Sequence, residues 1–183
     1  YYKLDKPGRF ISSGGLGTMG FGLPAGVGAK CGKPDAEVWV IVGDGGFQMT
    51  QAELSTAAQE GIKINVALIN NGYLGMVRQW QEFFYDRRYS ATPMKSPDFV
   101  KIAEAHGHTG LRVTRREDVE AAIQQARQTE GTVVIDFRVE KEDSVYPMVP
   151  NGADLHEMIR RPMAGVIFDE TEVDVEVEVE DEN

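Results

Sequence analysis

Three short runs constrain this chain more than anything else in it: EVWVIV (Glu37 to Val42), INVALIN (Ile64 to Asn70) and TVVIDFRV (Thr132 to Val139). All are rich in β-branched residues and apolar at successive positions. A strand with one wet face alternates apolar and polar residues, so these runs predict strands buried on both faces, as inside a parallel sheet. Parallel neighbours need a long crossover between them, usually a helix. Between the first two runs, Thr50 followed by Glu53 reads as a capping box and Gly61 as a C-terminal stop. Further helices are predicted over Leu74 to Phe84, Pro97 to His106 and Glu117 to Gln128. The expected fold class is α/β: a mostly parallel sheet with helices on both faces.

At 183 residues the chain is long enough for one such domain with its own core. The expected organisation is a domain over residues 1–150, a C-terminal arm over 151–168 and an acidic tail over 169–183. The formal charge is −10, but nine acids and no Lys or Arg fall in residues 169–183, which leaves the rest near −1. Nothing there suits a phosphate backbone, and no nucleic-acid partner is expected. In the tail, valines alternate with acids from Val173 to Val179 as along an edge strand. The like charges on the other face would repel, so a solvated extension is expected. No apolar run approaches a membrane span, and the first residues, YYKLDKPGRF, lack the apolar core of a secretory signal. With Cys31 the single cysteine, no internal disulfide is available, and a cytoplasmic setting is expected.

The strands give the polar residues at their ends a geometry. A strand, a crossover helix and a parallel strand end on the same edge of a sheet, and neighbouring strands lie about 5 Å apart. If the first two runs are neighbours, Asp44 and Asn71 converge. A carboxylate, a carboxamide oxygen and a backbone carbonyl make a hard oxygen set suited to Mg²⁺, with positions left for water or phosphate. Gly43, Gly45 and Gly46 allow close backbone approach, and the positive end of a helix starting at Thr50 would face the same crevice. The expected occupant is a magnesium-bound diphosphate. Taken singly, Gly-Asp-Gly and Asn-Asn-Gly are ordinary turn chemistry. Together, with 24 residues and one crossover helix between them, they favour the metal site.

Other patterns carry less. Gly15, Gly17 and Gly20 match the dinucleotide spacing GxGxxG, but the preceding RFISS is a poor central strand. A nicotinamide-binding enzyme domain is the alternative this pattern supports, and it leaves the Asn pair unexplained; a non-catalytic nucleotide-binding module is a further alternative. His106 and His108 lack a third ligand and read as structural. Cys31 reads as a helix-end residue. Met76 and Trp80 stand one helical turn apart, a spacing more common in cores than in pockets.

SGGLGTMGFGLPAG, GDGGFQMTQAELSTAAQEGIKI, NNGYLGMVRQWQEFFYDRRYS, PDFVKIAEAHG and VYPMVPNGADLHEMI together resemble the catalytic subunit of acetolactate synthase, over roughly residues 1–160. GMVRQWQ resembles that family more than its thiamine-diphosphate relatives, the decarboxylases and oxidases, which remain an alternative. The resemblance implies that Asp44, Asn71 and the main-chain oxygen of Tyr73 hold Mg²⁺, and that Gly45, Gly46, Leu74 and Gly75 line the diphosphate. It implies that Gly17 and Met19 also bind thiamine diphosphate, with Met19 as the apolar wedge that bends it. Met76, implied to bind the cofactor as well, and Trp80 would shape the acceptor site, Trp80 recognising the second keto acid. The implied reaction decarboxylates pyruvate on the cofactor and condenses the product with pyruvate or 2-ketobutyrate, towards branched-chain amino acids. The family's catalytic subunit also has a pyrimidine-binding domain, which supplies an activating glutamate, and a middle domain that carries FAD. Neither lies within these residues, so they are implied partners on the same or a separate chain. A homo-oligomer and a regulatory subunit are further partners the resemblance raises.

Overall fold

The computed structural model describes Lys3 and residues 6–162; the expected acidic tail over 169–183 lies outside the described residues. The chain divides into two compact units, Tyr1–Ser144 and Val145–Asn183. The first holds a four-stranded sheet in the order β1-β2-β4-β3. Strand β1 (Trp39–Gly43) pairs in parallel with β2 (Asn65–Asn70), Gly43 opposite Ile69, so the two predicted ligand strands are immediate neighbours. On the far side of β2 lies β4 (Val133–Arg138), and β3 (Thr109–Val113) pairs outside it, every pairing parallel.

Both faces are covered, as the unbroken apolar runs predict. Val40, Val66, Leu68 and Val134 face one way and share a buried core with Leu23, Phe47, Leu54 and Phe99. Those partners come from α1 (Gly22–Gly32), α2 (Asp44–Thr50), α3 (Glu53–Gln59) and α5 (Phe99–Ala105). Val133, Ile135 and Val113 point the opposite way, against Ala122 and Ala126 of α6 (Val119–Gln128). The predicted helix after the second strand is α4 (Gly75–Phe84).

Two elements fall outside the sequence expectation. Helix α1, GLPAGVGAKCG, is built of poor helix formers, and its reason is tertiary. A Cβ on Gly26 would stand 2.2 Å from Val40 Cγ2, so only glycine lets this helix lie so close to β1. In β3, a Cβ on Gly110 would stand 2.7 Å from the Val100 carbonyl oxygen, so the glycine that weakens the strand pattern admits α5.

The capping box at Thr50 is overturned. Helix α2 starts at Asp44, directly from Gly43, and Thr50 is its last residue. The Thr50 hydroxyl donates to the Gly20 carbonyl at 2.9 Å instead of capping, and α3 begins at Glu53 with no side-chain cap. The helix end that faces the crevice is therefore at Asp44, six residues earlier in the chain than expected. Gly61 does end the crossover, with φ of 62° and Ile62 N–H donating to the Ala57 carbonyl at 2.9 Å.

In the second unit, Met148 and Ile159 exchange backbone hydrogen bonds of 2.9 and 2.7 Å, and Asp154 caps a short turn of 3₁₀ helix over Leu155–Glu157. No helix of the described residues is long and apolar enough to cross a membrane.

Candidate cofactor site

The strand ends carry the chemistry. Asp44 follows β1 with no intervening loop, and its side chain is 1% exposed. One carboxylate oxygen accepts the Gly72 N–H at 3.0 Å and the Ser96 hydroxyl at 3.2 Å. Burial pushes this carboxyl above the ordinary range, against the pull of hydrogen bonds from Gly45, Ser96 and Gly72. Among the described residues no Lys, Arg or His pairs with it. A buried carboxylate with neutral partners alone is a strong oxygen donor lacking a cation, which fits a divalent metal.

The second strand end is pinned against the first. The Gly72 N–H that reaches Asp44 belongs to the loop after Asn70, so the Asn71–Tyr73 turn lies beside the carboxylate. Asn71 Oδ1 accepts the Tyr73 N–H at 3.0 Å, closing a local turn in which Gly72 has φ of 70°. That oxygen keeps a second lone pair. The loop is also laced to residues 92–94: Leu74 N–H donates to the Thr92 carbonyl at 2.9 Å and Met94 N–H to the Gly72 carbonyl at 2.8 Å. Behind it, Asn70 Nδ2 donates to Asp136 at 2.9 Å. Asp136 is fully buried and also accepts from Arg112 at 3.2 Å and Arg138 at 3.0 Å.

Above Asp44 the backbone is bare. A Cβ on Gly45 would meet Leu74 Cδ2 at 2.8 Å, Met19 Cε at 3.2 Å and Met94 Sδ at 3.3 Å, so these apolar ends converge over the glycine. A Cβ on Gly46 would lie 3.3 Å from Val42 Cγ2, and one on Gly75 2.9 Å from Asn71 Nδ2. Gly17, with φ of 58°, has open space around it. Met76 and Trp80 are not core: each is 47% exposed on α4. Trp80, with Val77, Gln81, Tyr85 and Arg88, lines an open groove of about 480 Å³, and Met76 stands outside that lining.

Ser96 and Met94 are the site residues that sequence reasoning missed. They lie in ATPMKSP, which reads as an ordinary loop; only the fold brings it onto Asp44. The histidines are structural, as expected: His106 Nδ1 bonds Ser55 Oγ at 2.9 Å and His108 Nε2 bonds the Leu54 carbonyl at 2.8 Å. Residues 10–13, ahead of the GxGxxG pattern, form no strand, so its structural context for a dinucleotide is missing.

A buried carboxylate at one strand end and a glycine-flanked turn at the next fit a class: α/β domains that hold a phosphate-bearing ligand at the carboxyl edge of a parallel sheet. The family described as Thiamine pyrophosphate enzyme, C-terminal TPP binding domain, matches residues 1–137, and the chain belongs to it. The acetolactate synthase large subunit of Corynebacterium glutamicum is 53% identical over 159 residues, covering 84% of this chain and 25% of the relative. The large subunit of Mycobacterium tuberculosis is 54% identical over 164 residues, 86% of this chain and 26% of its own. The mitochondrial catalytic subunit of Saccharomyces cerevisiae is 48% identical over 159 residues, 87% and 23% respectively. A thiamine diphosphate-dependent 4-hydroxybenzoylformate decarboxylase from Rhodococcus jostii RHA1 superposes with a TM-score of 0.64 at 32% identity, over 68% of this chain and 24% of that one. The chain thus spans about a quarter of the length of the curated relatives it matches.

Proposed function

We propose that this chain is the metal- and diphosphate-holding part of an acetolactate synthase, acting on pyruvate and taking pyruvate or 2-ketobutyrate as second substrate. The observation that carries the site assignment is Asp44, buried and with no Lys, Arg or His pairing it among the described residues, with the Asn71–Tyr73 turn hydrogen-bonded against it. Asp44, Asn71 and the Tyr73 carbonyl hold Mg²⁺, which offsets the charge of a diphosphate lying along Gly45, Gly46, Leu74 and Gly75. Gly17 leaves room for the cofactor, and Met19, already over Gly45, is the apolar wedge against it. When bound, thiamine diphosphate supplies the electron sink for decarboxylation of a 2-keto acid. Trp80 supplies a flat apolar wall for the second keto acid, with Met76 beside it on α4. The pyrimidine-binding and FAD-carrying domains of the family complete the enzyme, in a cytoplasmic homo-oligomer.

Calorimetry tests this. Thiamine diphosphate should bind in the presence of Mg²⁺, and binding should be lost with EDTA or on Asp44→Ala. Equal affinity with and without the metal would refute the roles given to Asp44 and Asn71.

A further inference from the structure

Arg78 is an arginine inside the protein, 1% exposed, on the same helix as Trp80. A guanidinium out of water needs partners for its donors, and Arg78 Nε is buried with none among the described residues, so the two terminal nitrogens carry its contacts. Here Nη1 donates to Glu82 at 2.8 Å and to the Tyr89 hydroxyl at 3.4 Å, while Nη2 donates to Ser144 Oγ at 3.0 Å and to the Glu142 carbonyl at 3.2 Å. The Tyr89 ring also lies 5.9 Å from the guanidinium carbon. These partners come from separate segments: α4 itself, the loop over residues 85–92, and the stretch that follows β4.

The loop requires such an anchor. Asp86, Arg87 and Ala91 have φ of 50°, 55° and 56°, a left-handed state that non-glycine residues adopt only where surroundings impose it. Gln81 holds the loop from one side, donating to the Ser90 carbonyl at 3.0 Å and accepting from the Thr92 hydroxyl at 2.9 Å. Arg78 holds it from inside through Tyr89. From this loop come Tyr85 and Arg88, which face Val77 and Trp80 across the groove. One wall of the groove is therefore helical and the other is a strained loop whose inner attachment is Arg78.

We infer that Arg78 is a positioning residue for the Trp80 groove. By joining α4, the 85–92 loop and the segment after β4, it sets where Tyr85 and Arg88 stand relative to Trp80, and so governs the fit of the second keto acid without touching it. This rests on the acceptor role proposed for Trp80. Lysine cannot substitute: a single ammonium lacks the planar fork that reaches Glu82, Tyr89, Ser144 and the Glu142 carbonyl together.

The test uses Trp39→Phe as background, which leaves Trp80 the sole tryptophan of the chain. Acrylamide quenching of the folded protein is measured with Arg78, Arg78→Lys and Arg78→Met. Both replacements should raise the Trp80 quenching constant about twofold by local loosening of the loop. The unfolding midpoint of Arg78→Met should fall, since removing one partner of a buried ion pair leaves Glu82 uncompensated, so quenching and not the midpoint reads the positioning. A lowered midpoint with unchanged quenching would overturn the inference and leave Arg78 a plain stability residue. Should either variant fail to fold, Tyr89→Phe and Ser144→Ala remove single partners and must each raise quenching. In the complete enzyme, Arg78→Lys should shift the ratio of 2-ketobutyrate to pyruvate use by about threefold or more, with Trp80→Leu as control. If Trp80→Leu leaves that ratio unchanged, the acceptor reading of Trp80 fails while quenching still judges the positioning. If Trp80→Leu shifts it and Arg78→Lys does not, the role of Arg78 in acceptor fit is refuted.

Discussion

Asp44→Asn separates what the carboxylate does for the fold from what it does for a metal. The amide preserves the shape. Its oxygen, placed where the carboxylate oxygen takes both bonds, accepts the Gly72 N–H at 3.0 Å and the Ser96 hydroxyl at 3.2 Å. What disappears is a negative charge that is 1% exposed and has no cationic partner among the described residues. Burial raises the Asp44 pKa above its ordinary 3.8, so the folded chain binds this proton more tightly than the unfolded chain. Ionised Asp44 therefore opposes folding from about its ordinary pKa upward, fully so above the folded pKa. At neutral pH without divalent metal, Asp44→Asn should be more stable than the parent by roughly 1 kcal/mol, the scale of one poorly compensated polar group. With Mg²⁺ and thiamine diphosphate at 100 times their dissociation constant, the parent should gain about 2.7 kcal/mol and the variant almost nothing, so the order reverses. Urea unfolding of both proteins, with and without the ligands, reads all four values. The reasoning fails if the variant is the less stable one without metal, or if Mg²⁺ and the cofactor stabilise the two alike.

Gly26→Ala and Gly28→Ala, two residues apart on α1, should have opposite signs. At Gly26 the new methyl meets Val40 Cγ2 at 2.2 Å and should cost about 1 to 3 kcal/mol, whereas Gly28 has nothing within 4 Å and should gain about 0.5 to 1 kcal/mol. Equal denaturation midpoints would refute the close approach of α1 to β1. Glu37 is held below its ordinary 4.5 by hydrogen bonds from Arg127, 2.8 Å away, and from the Trp39 indole. Its contribution is therefore present above that value and lost as pH falls through the lowered pKa; being half-exposed, it is worth less than about 1 kcal/mol. Glu37→Gln should flatten that part of the acid limb of a stability–pH curve, and an unchanged limb would show that the pair contributes nothing.

The strands were legible because β-branched runs carry their own signal, and β1, β2 and β4 start within two residues of the runs that predict them. That the Asn71 loop lies beside Asp44 was legible for a related reason. Asp44 and Asn71 belong to one strand–helix–strand unit, whose geometry follows from local pattern and crossover length. What failed depends on contacts distant in sequence. Thr50 has the local chemistry of a cap, but Gly20, thirty positions away, takes its hydroxyl. Helix α1 violates propensity because its glycines fit against β1, and β3 is obscured by a glycine that fits against α5. Ser96 reaches Asp44 across a separation of 52 residues, and no periodicity or spacing encodes that.

The two ends of the site are organised differently, and this bears on what the chain does alone. The Asp44 end is buried and hydrogen-bonded: Asp44 accepts from Gly72 and Ser96, and the Asn70 beneath the loop donates to Asp136 between two arginines. The apolar end is open, with Met19 at 44% and Met76 and Trp80 at 47% exposure. A preorganised metal site binds without rearrangement, because its groups are ordered before the ligand arrives. An exposed apolar wall gives little discrimination and does not exclude water, so it works only when covered. Under the proposed function, cofactor affinity and turnover are therefore separable properties. Magnesium-dependent diphosphate binding follows from residues of this chain, whereas acetolactate formation waits on whatever covers Met19 and Trp80 and activates the aminopyrimidine.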